Sequence, residues 1–543
     1  MAKKFIQELY IDHLRYPSKG IAFLDAEKLD KNGKNDENSN LTSATNCESL
    51  EILEEFQAKT EKSQAEKPCK IEVNNTLPGQ IVTAECTRKK KKFVGRVISV
   101  NKPAPQEIPA SCPSFGVCGG CTFLNIPYEY ELELKKQNVL RLLKNLGNVN
   151  SANGAEIYDF SKVEIVPSPN VEGYRNKMEF SFGDAANFKI AENAETAEKQ
   201  NFSLSLGIRN RNRNYEVTQP KNCVLVNQDF MDIVAATLKI FSQTSETFYH
   251  RMRHTGNLRY LVVRRGEFTD EILVNLVTTS KIENSNLQNW LAELLRLPLK
   301  AKIVGILHTA SDSVADAVIP ENTSLLHGQN FFTEKICELN FDISPFAFFQ
   351  TNSSGAELLY NTVTEFVNLS TVENVNPAIY DLYCGTGTIT QCLSKRAKNA
   401  ENLGNLGNSP KIIGVDIVAE SIEMAKQNAI KNNLTNCKFI TADVLQFLEE
   451  KLQNINLENA GDISDFSKSI AVVDPPRDGI HPKALTRLLA LNIPTIIYIS
   501  CKPTSLARDL LAFFDVDYKI TNLRLHDMFP RTPHIETVCL LQK

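Results

Sequence analysis

The chain has 543 residues, several times the size of one hydrophobic core, so its length predicts two or more domains. Hydrophobic residues make up 42% of the chain and charged residues 23%, and no apolar run is long enough to cross a bilayer, which excludes an integral membrane protein. The formal net charge of -4 excludes a globally basic nucleic-acid-binding surface, so any contact with nucleic acid must come from local patches.

Cysteine usage and the N-terminal sequence indicate the compartment. The first residues lack an apolar segment of the secretory type, and the 13 cysteines form an odd count scattered along the chain. Both features favour a reducing environment over a disulfide framework. We therefore expect a cytoplasmic protein with no membrane partner and no obligate protein partner.

The first predicted domain covers residues 1–104. Short alternating segments separated by turn signals such as Pro78-Gly79 predict a small β-barrel of the OB-like kind. A polar stretch at about residues 29–67 lacks hydrophobic periodicity, which predicts a disordered insertion in this domain. Five consecutive cations at residues 88–92 fit either a solvated hairpin turn or a contact with RNA phosphates.

The second predicted domain covers residues 105–340 and has a mixed, β-rich pattern. A helix is expected from Tyr128 to Leu146, and apolar runs at residues 258–263 and 271–277 predict strands. A second basic cluster, at residues 209–213, also fits either a solvated turn or a contact with RNA phosphates.

The third predicted domain, residues 341–543, alternates strand and helix patterns. Its strands are apolar runs that end in polar residues, which is typical of buried parallel strands with a ligand at their carboxyl ends. The sequence therefore predicts an α/β, doubly wound, Rossmann-like C-terminal domain. The four runs are residues 378–383, 412–416, 470–474 and 495–500.

A glycine-bearing turn follows the first of these strands. Residues 381–388 open a helix with Gly385 and Gly387, and Asp416 ends the next strand, where an acid can accept hydrogen bonds from ribose hydroxyls. The third glycine of the dinucleotide signature is absent. This arrangement favours S-adenosylmethionine over NAD as the ligand.

Two further strands end in reactive residues. One leads into Asp474-Pro475-Pro476-Arg477, where the prolines fix an extended backbone at the pocket mouth. The other ends beside Cys501, whose position would expose it next to the cofactor. Packing explains four other cysteines of this domain, namely Cys384, Cys392, Cys437 and Cys539.

Four cysteines in the middle of the chain form a separate group. Cys112, Cys118 and Cys121 occupy a tight glycine-bearing loop, and Cys223 can return to it as a fourth ligand. Three soft ligands at short spacing and one distant ligand suit an iron-sulfur cluster or a structural zinc ion. Zinc sites usually come as two close pairs, so the spacing tilts toward iron.

Together these motifs resemble a known family over nearly the whole chain. The chain is similar to bacterial 23S rRNA and tRNA 5-methyluridine methyltransferases of the iron-sulfur, TRAM-domain type. The motifs that carry the resemblance are the four cysteines and residues 173–177, 344–352, 381–387, 474–477, 500–503 and 527–536.

The resemblance implies a role for each motif. Cys501 would be the nucleophile and Glu536 the general base, and the first domain would be a TRAM RNA-binding module. The cysteines would hold a 4Fe-4S cluster, with zinc the weaker alternative. The residues implied to line the S-adenosylmethionine site are Gln350, Tyr383, Asp416 and Asp474.

The expected function is therefore methylation of carbon 5 of a uridine in RNA. RNA cytosine-5 enzymes typically carry a cysteine after the proline pair, where this chain has Arg477, so uracil is favoured. The RNA is expected to be 23S rRNA, with tRNA or a non-catalytic assembly role as alternatives. The chain departs from the family pattern at Leu124, Asn125 and Thr388, which weakens any transfer of one member's RNA specificity.

Overall fold

The computed structural model describes residues 4–24, 69–90, 92–150, 158–185, 204–211, 213–315, 318–370, 377–402, 410–456 and 466–543. The predicted insertion at residues 29–67 lies outside them. Across these ranges, no helix is both long and apolar enough to cross a membrane. The chain divides into two compact units, Met1–Pro109 with Asn125–Pro127, and Ala110–Leu124 with Tyr128–Lys543.

The first unit contains a six-stranded sheet with the order β1-β5-β6-β4-β3-β2. Alternate residues of the fifth strand, Val82, Ala84 and Cys86, are fully buried and form one apolar face. In the described ranges, β1 and β2 are the two edge strands of this sheet, and they do not pair with each other to close a barrel. The strands are β1 (Lys4–Tyr10), β2 (His13–Arg15), β3 (Lys19–Leu24), β4 (Cys69–Asn74), β5 (Ile81–Lys89) and β6 (Lys92–Lys102).

The second unit begins with a helix and a seven-stranded sheet in the order β10-β9-β8-β11-β12-β13-β14. Strands β11 and β12 are buried almost throughout, as their apolar sequences predict. The elements are α1 (Tyr128–Asn150), β7 (Glu164–Val166), β8 (Lys177–Ala185), β9 (Leu204–Asn210), β10 (Arg213–Thr218), α2 (Gln228–Phe241), β11 (Leu258–Arg265), β12 (Glu271–Thr278), α3 (Asn284–Leu294), β13 (Lys302–Ala310) and β14 (Asn322–Gly328).

The same unit continues into an eight-stranded sheet in the order β19-β18-β17-β20-β21-β23-β22-β7. Its first five strands in this order pair in parallel, which confirms the predicted doubly wound α/β class. A separate two-stranded hairpin, β15 (Phe332–Ile336) and β16 (Leu339–Ile343), follows β14 in the chain. The strands of the sheet besides β7 are β17 (Ile379–Leu382), β18 (Ile412–Asp416), β19 (Cys437–Thr441), β20 (Ile470–Val473), β21 (Thr495–Ser500), β22 (Lys519–His526) and β23 (Glu536–Gln542). The helices are α4 (Ser353–Ser370), α5 (Thr388–Asn402), α6 (Ala419–Lys431), α7 (Val444–Asn456), α8 (Pro482–Ala490) and α9 (Pro503–Phe514).

One strand of this sheet comes from far upstream. The short strand β7 pairs in parallel with β22, so a segment of the predicted second domain completes a sheet of the predicted third. The boundaries at residues 104 and 340 remain predictions.

The strand order places the ligand crevice. Strand β17 is the first of the parallel strands in the chain and pairs with β18 on one side and β20 on the other. The chain runs from β17 to β18 and β19 on one side, and then crosses to β20 and β21 on the other side. In open α/β sheets, ligands bind at the carboxyl ends of the strands where the strand order reverses in this way. The crevice therefore lies where β17, β18, β20 and β21 end.

Candidate active site

The turn after β17 has an unusual backbone. Tyr383, Gly385 and Gly387 have φ angles of 66°, 54° and 72°, a region that glycine enters at little cost and other residues rarely adopt. A Cβ atom on Gly387 would lie 2.4 Å from a ring carbon of Phe439. The turn therefore requires glycine here both for its dihedral angle and for close packing against Phe439 of β19.

Asp416 lies directly beside this turn at the end of β18. Its Oδ2 accepts a hydrogen bond from the Gly385 N–H at 2.9 Å, and its Oδ1 accepts one from the Val418 N–H, also at 2.9 Å. These bonds fix the carboxylate, which can accept further hydrogen bonds because two oxygens offer about four lone-pair sites. The geometry is compatible with the predicted contact to ribose hydroxyls.

Asp381 contributes a buried carboxyl group to which the sequence alone assigned no role beyond membership of the motif. Its Oδ2 accepts a hydrogen bond from Thr390 at 2.5 Å, whereas no described residue donates to its Oδ1. Burial raises the pKa of Asp381 to about 7, and the charge of Asp416 adds to the effect. A positively charged ligand would offset the free-energy cost of a buried carboxylate, so Asp381 suits a cationic methyl donor.

The segment that carries Gln350 approaches the turn from the other side. The Gln350 side chain is buried, and its backbone oxygen accepts a hydrogen bond from Asn176 Nδ2 at 2.9 Å. Phe348 is 68% exposed, and a Cβ atom on Gly385 would lie 3.9 Å from its ring. The aromatic ring therefore stands at the open mouth of the crevice, over the glycine turn.

A buried arginine supports this segment. Arg264 Nη1 donates to the backbone oxygens of Ser344, Pro345 and Ala347 at 2.7, 3.2 and 2.8 Å. Its guanidinium is fully buried and packs over the Phe332 ring, 5.3 Å from the ring centroid. Sequence reasoning missed this residue because nothing in its local pattern distinguishes it from an ordinary strand arginine.

Two neighbouring strands bring the predicted reactive pair together. Cys501 follows Ser500 at the end of β21, and Glu536 begins β23. Ser500 pairs with Thr537 in the antiparallel ladder, so the two side chains lie at the same end of the sheet. Glu536 is only 3% exposed, whereas Cys501 is half-buried.

The charges in this corner act on one another. Burial raises the pKa of Cys501 to about 11, Glu536 and Asp474 add to the rise, and the charge and hydrogen bond of Arg477 oppose it. Burial also raises the pKa of Glu536 well above its usual value, and Asp474 adds to it. The pKa of Asp474 is raised to about 7 by burial, with a contribution from Asp381. The Cys501 thiol and the Glu536 carboxyl thus share the influence of the Arg477 guanidinium. A thiol beside a carboxyl is a pair suited to nucleophilic attack and proton transfer.

The four cysteines predicted to bind metal are electrostatically coupled, so that the charge of one shifts the pKa of another. Burial raises the pKa of Cys121 to about 12, and the charges of Cys223, Cys118 and Cys112 add to it. The donor chemistry therefore fits a thiolate-bound metal or cluster, which would remove these protons. However, in the part of the chain that the structure describes, no group of three or more His, Cys, Asp and Glu side chains is arranged to hold a metal ion.

The second basic cluster contacts the cysteine loop. Arg211 Nε donates to the Cys118 backbone oxygen at 3.1 Å, and its guanidinium lies 5.4 Å from the Phe115 ring centroid. Arg209 Nε donates to Ser181 at 3.1 Å. The guanidinium groups of Arg209 and Arg211 thus both bond to acceptors within the protein. The contact of this cluster with RNA remains a prediction.

Comparisons with known proteins identify a family. The profile of the tRNA (uracil-5-)-methyltransferase family matches residues 269–543. A protein of Clostridium tetani named "Uncharacterized RNA methyltransferase" is 38% identical over 87% of this chain and 93% of its own length. A namesake from Caldanaerobacter subterraneus is 38% identical over 87% of this chain and 94% of its own.

A solved structure is similar over the same extent. The Pyrococcus abyssi tRNA (uracil-54, C5)-methyltransferase, in complex with S-adenosyl-L-homocysteine, matches with a TM-score of 0.62 and 26% identity. The match covers 87% of this chain and 94% of that one. With the crevice described above, these likenesses show that the chain belongs to the S-adenosylmethionine-dependent RNA uracil-5-methyltransferase family.

Proposed function

We propose that the protein methylates carbon 5 of a uridine in 23S rRNA, with Cys501 as nucleophile and Glu536 as general base. The observation that carries the proposal is the position of these two side chains at the same end of adjacent strands in the sheet that also contains β17. The structural neighbour's complex with S-adenosyl-L-homocysteine supports the choice of methyl donor.

The chemistry of uracil explains why a thiol is needed. Carbon 5 is a weak nucleophile, and S-adenosylmethionine supplies an electrophilic methyl group. When the Cys501 thiolate adds to carbon 6, the ring becomes an enolate. Carbon 5 can then form a bond to the methyl group as the methyl–sulfur bond of the donor breaks and S-adenosyl-L-homocysteine leaves. The Arg477 guanidinium lowers the pKa of this thiol and so favours the attacking form.

The second half of the reaction needs a base. After methyl transfer, carbon 5 still carries its proton, and Glu536 removes it as the Cys501–carbon 6 bond breaks and the double bond returns. Burial holds the pKa of Glu536 high, which makes its carboxylate a stronger base than an exposed one. In this scheme Asp474 contacts the edge of the uracil ring.

Replacement of the thiol tests the first step. Cys501→Ala should reduce 5-methyluridine formation by at least about a thousandfold, because no covalent activation remains. Methyl transfer from radiolabelled donor to bulk RNA from a deletion strain measures this. A normal rate in the variant would contradict the nucleophile role.

Replacement of the base tests the second step. Glu536→Gln should still form the covalent bond and transfer the methyl group, and then fail to release the RNA. A protein–RNA band that survives denaturing electrophoresis is the expected result. Rapid release by the variant would assign proton removal to another group.

The RNA itself is part of the proposal. Resemblance to the iron-sulfur, TRAM-bearing enzymes favours 23S rRNA, whereas the similar solved structure is that of a tRNA (uracil-54, C5)-methyltransferase. Deletion of the gene should remove one or more 5-methyluridines from 23S rRNA, which mass spectrometry of each purified RNA detects. Loss from tRNA alone would replace rRNA by tRNA as the substrate.

We also propose that Cys112, Cys118, Cys121 and Cys223 hold a 4Fe-4S cluster and that the first unit is a TRAM RNA-binding module in a cytoplasmic enzyme. The donor set supports the cluster, since four thiols fit iron or zinc and little else. Anaerobically purified protein should be brown and contain about four iron atoms per chain. Colourless protein with one zinc ion would favour the structural zinc alternative.

A further inference from the structure

Three buried charges lie together beneath the segment that leads to Glu536. Lys135 Nζ is 2.7 Å from Glu131 Oε1 and 2.7 Å from Asp527 Oδ1, and all three side chains are at most 2% exposed. Removal of charges from water costs several kcal/mol per ion, roughly, and pairing returns only part of that. A buried triad of this kind is therefore a poor source of stability.

The triad is attached to the connection between β22 and β23. Lys135 Nζ also donates to the Phe529 backbone oxygen at 3.2 Å, and Glu131 Oε1 accepts the Arg531 N–H at 2.7 Å. Helix α1 thereby holds both ends of residues 527–531. Five residues after Arg531, the chain reaches Glu536, where β23 begins.

Two more parts of the unit hold the same connection. Tyr174, fully buried, donates from its hydroxyl to the Pro530 oxygen at 2.9 Å. The N–H groups of Thr122 and Phe123, which directly follow the cysteine loop, donate to the Arg531 oxygen at 2.7 and 3.1 Å. Arg531 itself has a φ angle of 67°, a conformation that a non-glycine residue keeps only when its surroundings enforce it.

We propose that Lys135, Glu131 and Tyr174 are positioning residues that fix the Glu536 carboxylate for the release step of the reaction. This inference rests on the proposed function, because Glu536 has a role only after methyl transfer. A misplacement of about 1 Å can reduce a rate roughly a hundredfold. Loosening the connection should therefore slow proton removal and leave covalent bond formation by Cys501 intact.

The principal test is Lys135→Met, which removes the central cation and retains most of the side-chain volume. Single-turnover reactions with RNA and radiolabelled donor would be quenched in denaturant at successive times. We expect covalent adduct to form at a rate within about threefold of the original protein and to decay at least about tenfold more slowly. Because adduct formation is unchanged, kcat/KM for RNA should stay the same while kcat and KM fall together.

A milder variant covers the case in which Lys135→Met does not fold. Tyr174→Phe removes one hydroxyl from a site whose ring packing it preserves, so the protein should fold, and its adduct should decay about five times more slowly. The matched control is Thr237→Val, which removes a buried hydroxyl bonded to Trp290 at 3.0 Å in the α2–α3 packing. The control should lose comparable thermal stability with no change in adduct decay.

The outcomes separate the two proposals. If Glu536→Gln accumulates adduct while Lys135→Met and Tyr174→Phe release it as fast as the original protein does, the positioning role is wrong and the proposed function stands. If adduct decay slows equally in Thr237→Val, the effect is general destabilisation and the positioning role is again wrong. If neither the original protein nor Glu536→Gln forms adduct with any RNA, both proposals fail.

Discussion

Arg477 is the cation that opposes the rise in the Cys501 pKa. It follows the two prolines after β20, so its backbone is held in place by the motif itself. The pKa of the proposed nucleophile therefore depends on a residue that follows a different strand. This dependence can be measured through the pH profile of the first step.

We predict that Arg477→Gln raises the pKa of Cys501 further and slows adduct formation about tenfold or more at neutral pH. The rate should recover as the pH is raised, because a larger fraction of the thiol then ionises. Adduct formation measured across neutral to alkaline pH gives the profile. Arg487→Gln, which removes a half-exposed arginine paired with Glu449, is the control. Identical profiles for all three proteins would exclude Arg477 from this role.

Asp474 makes the stability of the fold depend on pH. Its pKa is about 7 in the folded protein, against 3.8 for an ordinary aspartate. The folded protein keeps the proton to a higher pH than the unfolded chain does, so the free energy of unfolding falls as the pH rises through this window. Asp474→Asn should therefore be more stable than the original protein at about pH 8, by up to about 4 kcal/mol, and nearly equal to it near pH 4. Thermal unfolding of the donor-free proteins at both values measures this, and a difference that shrinks with rising pH would contradict it.

Residues at the ends of strands could be predicted from sequence, and residues that support them could not. Asp416, Asp474 and Cys501 each follow an apolar run, so chain position alone locates them. Asn176 and Lys135 bond to partners 174 and 392 residues away. No local pattern encodes such contacts, because they exist only once the sheets are assembled.

At the scale of elements, the segment at residues 173–177 supports the segment that carries Gln350. Asn176 Nδ2 bonds to both the Gln350 oxygen and Ser353 Oγ, at 2.9 and 2.8 Å. The sequence of this segment resembles a family motif but by itself indicates no role. The structure connects it to the segment beside the glycine turn.

We expect Asn176→Leu to weaken the binding of S-adenosyl-L-homocysteine about tenfold, because two buried hydrogen bonds are worth roughly 1 to 3 kcal/mol together. Isothermal titration calorimetry measures the change. Asn101→Ala, which removes an exposed amide in the first unit, should bind the ligand normally. Unaltered affinity in Asn176→Leu would show that the Gln350 segment keeps its position without this support.

At the scale of the whole molecule, a net charge of -4 makes RNA affinity a local property. We propose that the cations at residues 88–92 contribute to this affinity. Reversal of Arg88, Lys89 and Lys90 should weaken RNA binding and reduce the slope of log affinity against log salt by roughly 0.7 to 0.9 per lost phosphate contact. Filter binding at several salt concentrations tests this. An unchanged slope would place the RNA surface elsewhere.

The sheets follow from sequence to different extents. The parallel sheet was predictable because its strands are apolar throughout and alternate with helix patterns. The pairing of β7 with β22 was not, because three residues at 164–166 carry too little pattern to indicate a strand. Its partner strand also lies more than half the chain away.

That short strand determines which parts of the protein can be studied alone. In β22, the side that faces away from β23 carries backbone donors and acceptors that β7 satisfies. A fragment starting at residue 341 would present this edge uncovered, and open edges recruit strands from other molecules. Such a fragment should aggregate on expression, whereas one starting at residue 158 keeps its own edge covered. A fragment meant to contain the intact eight-stranded sheet must therefore start upstream of β7.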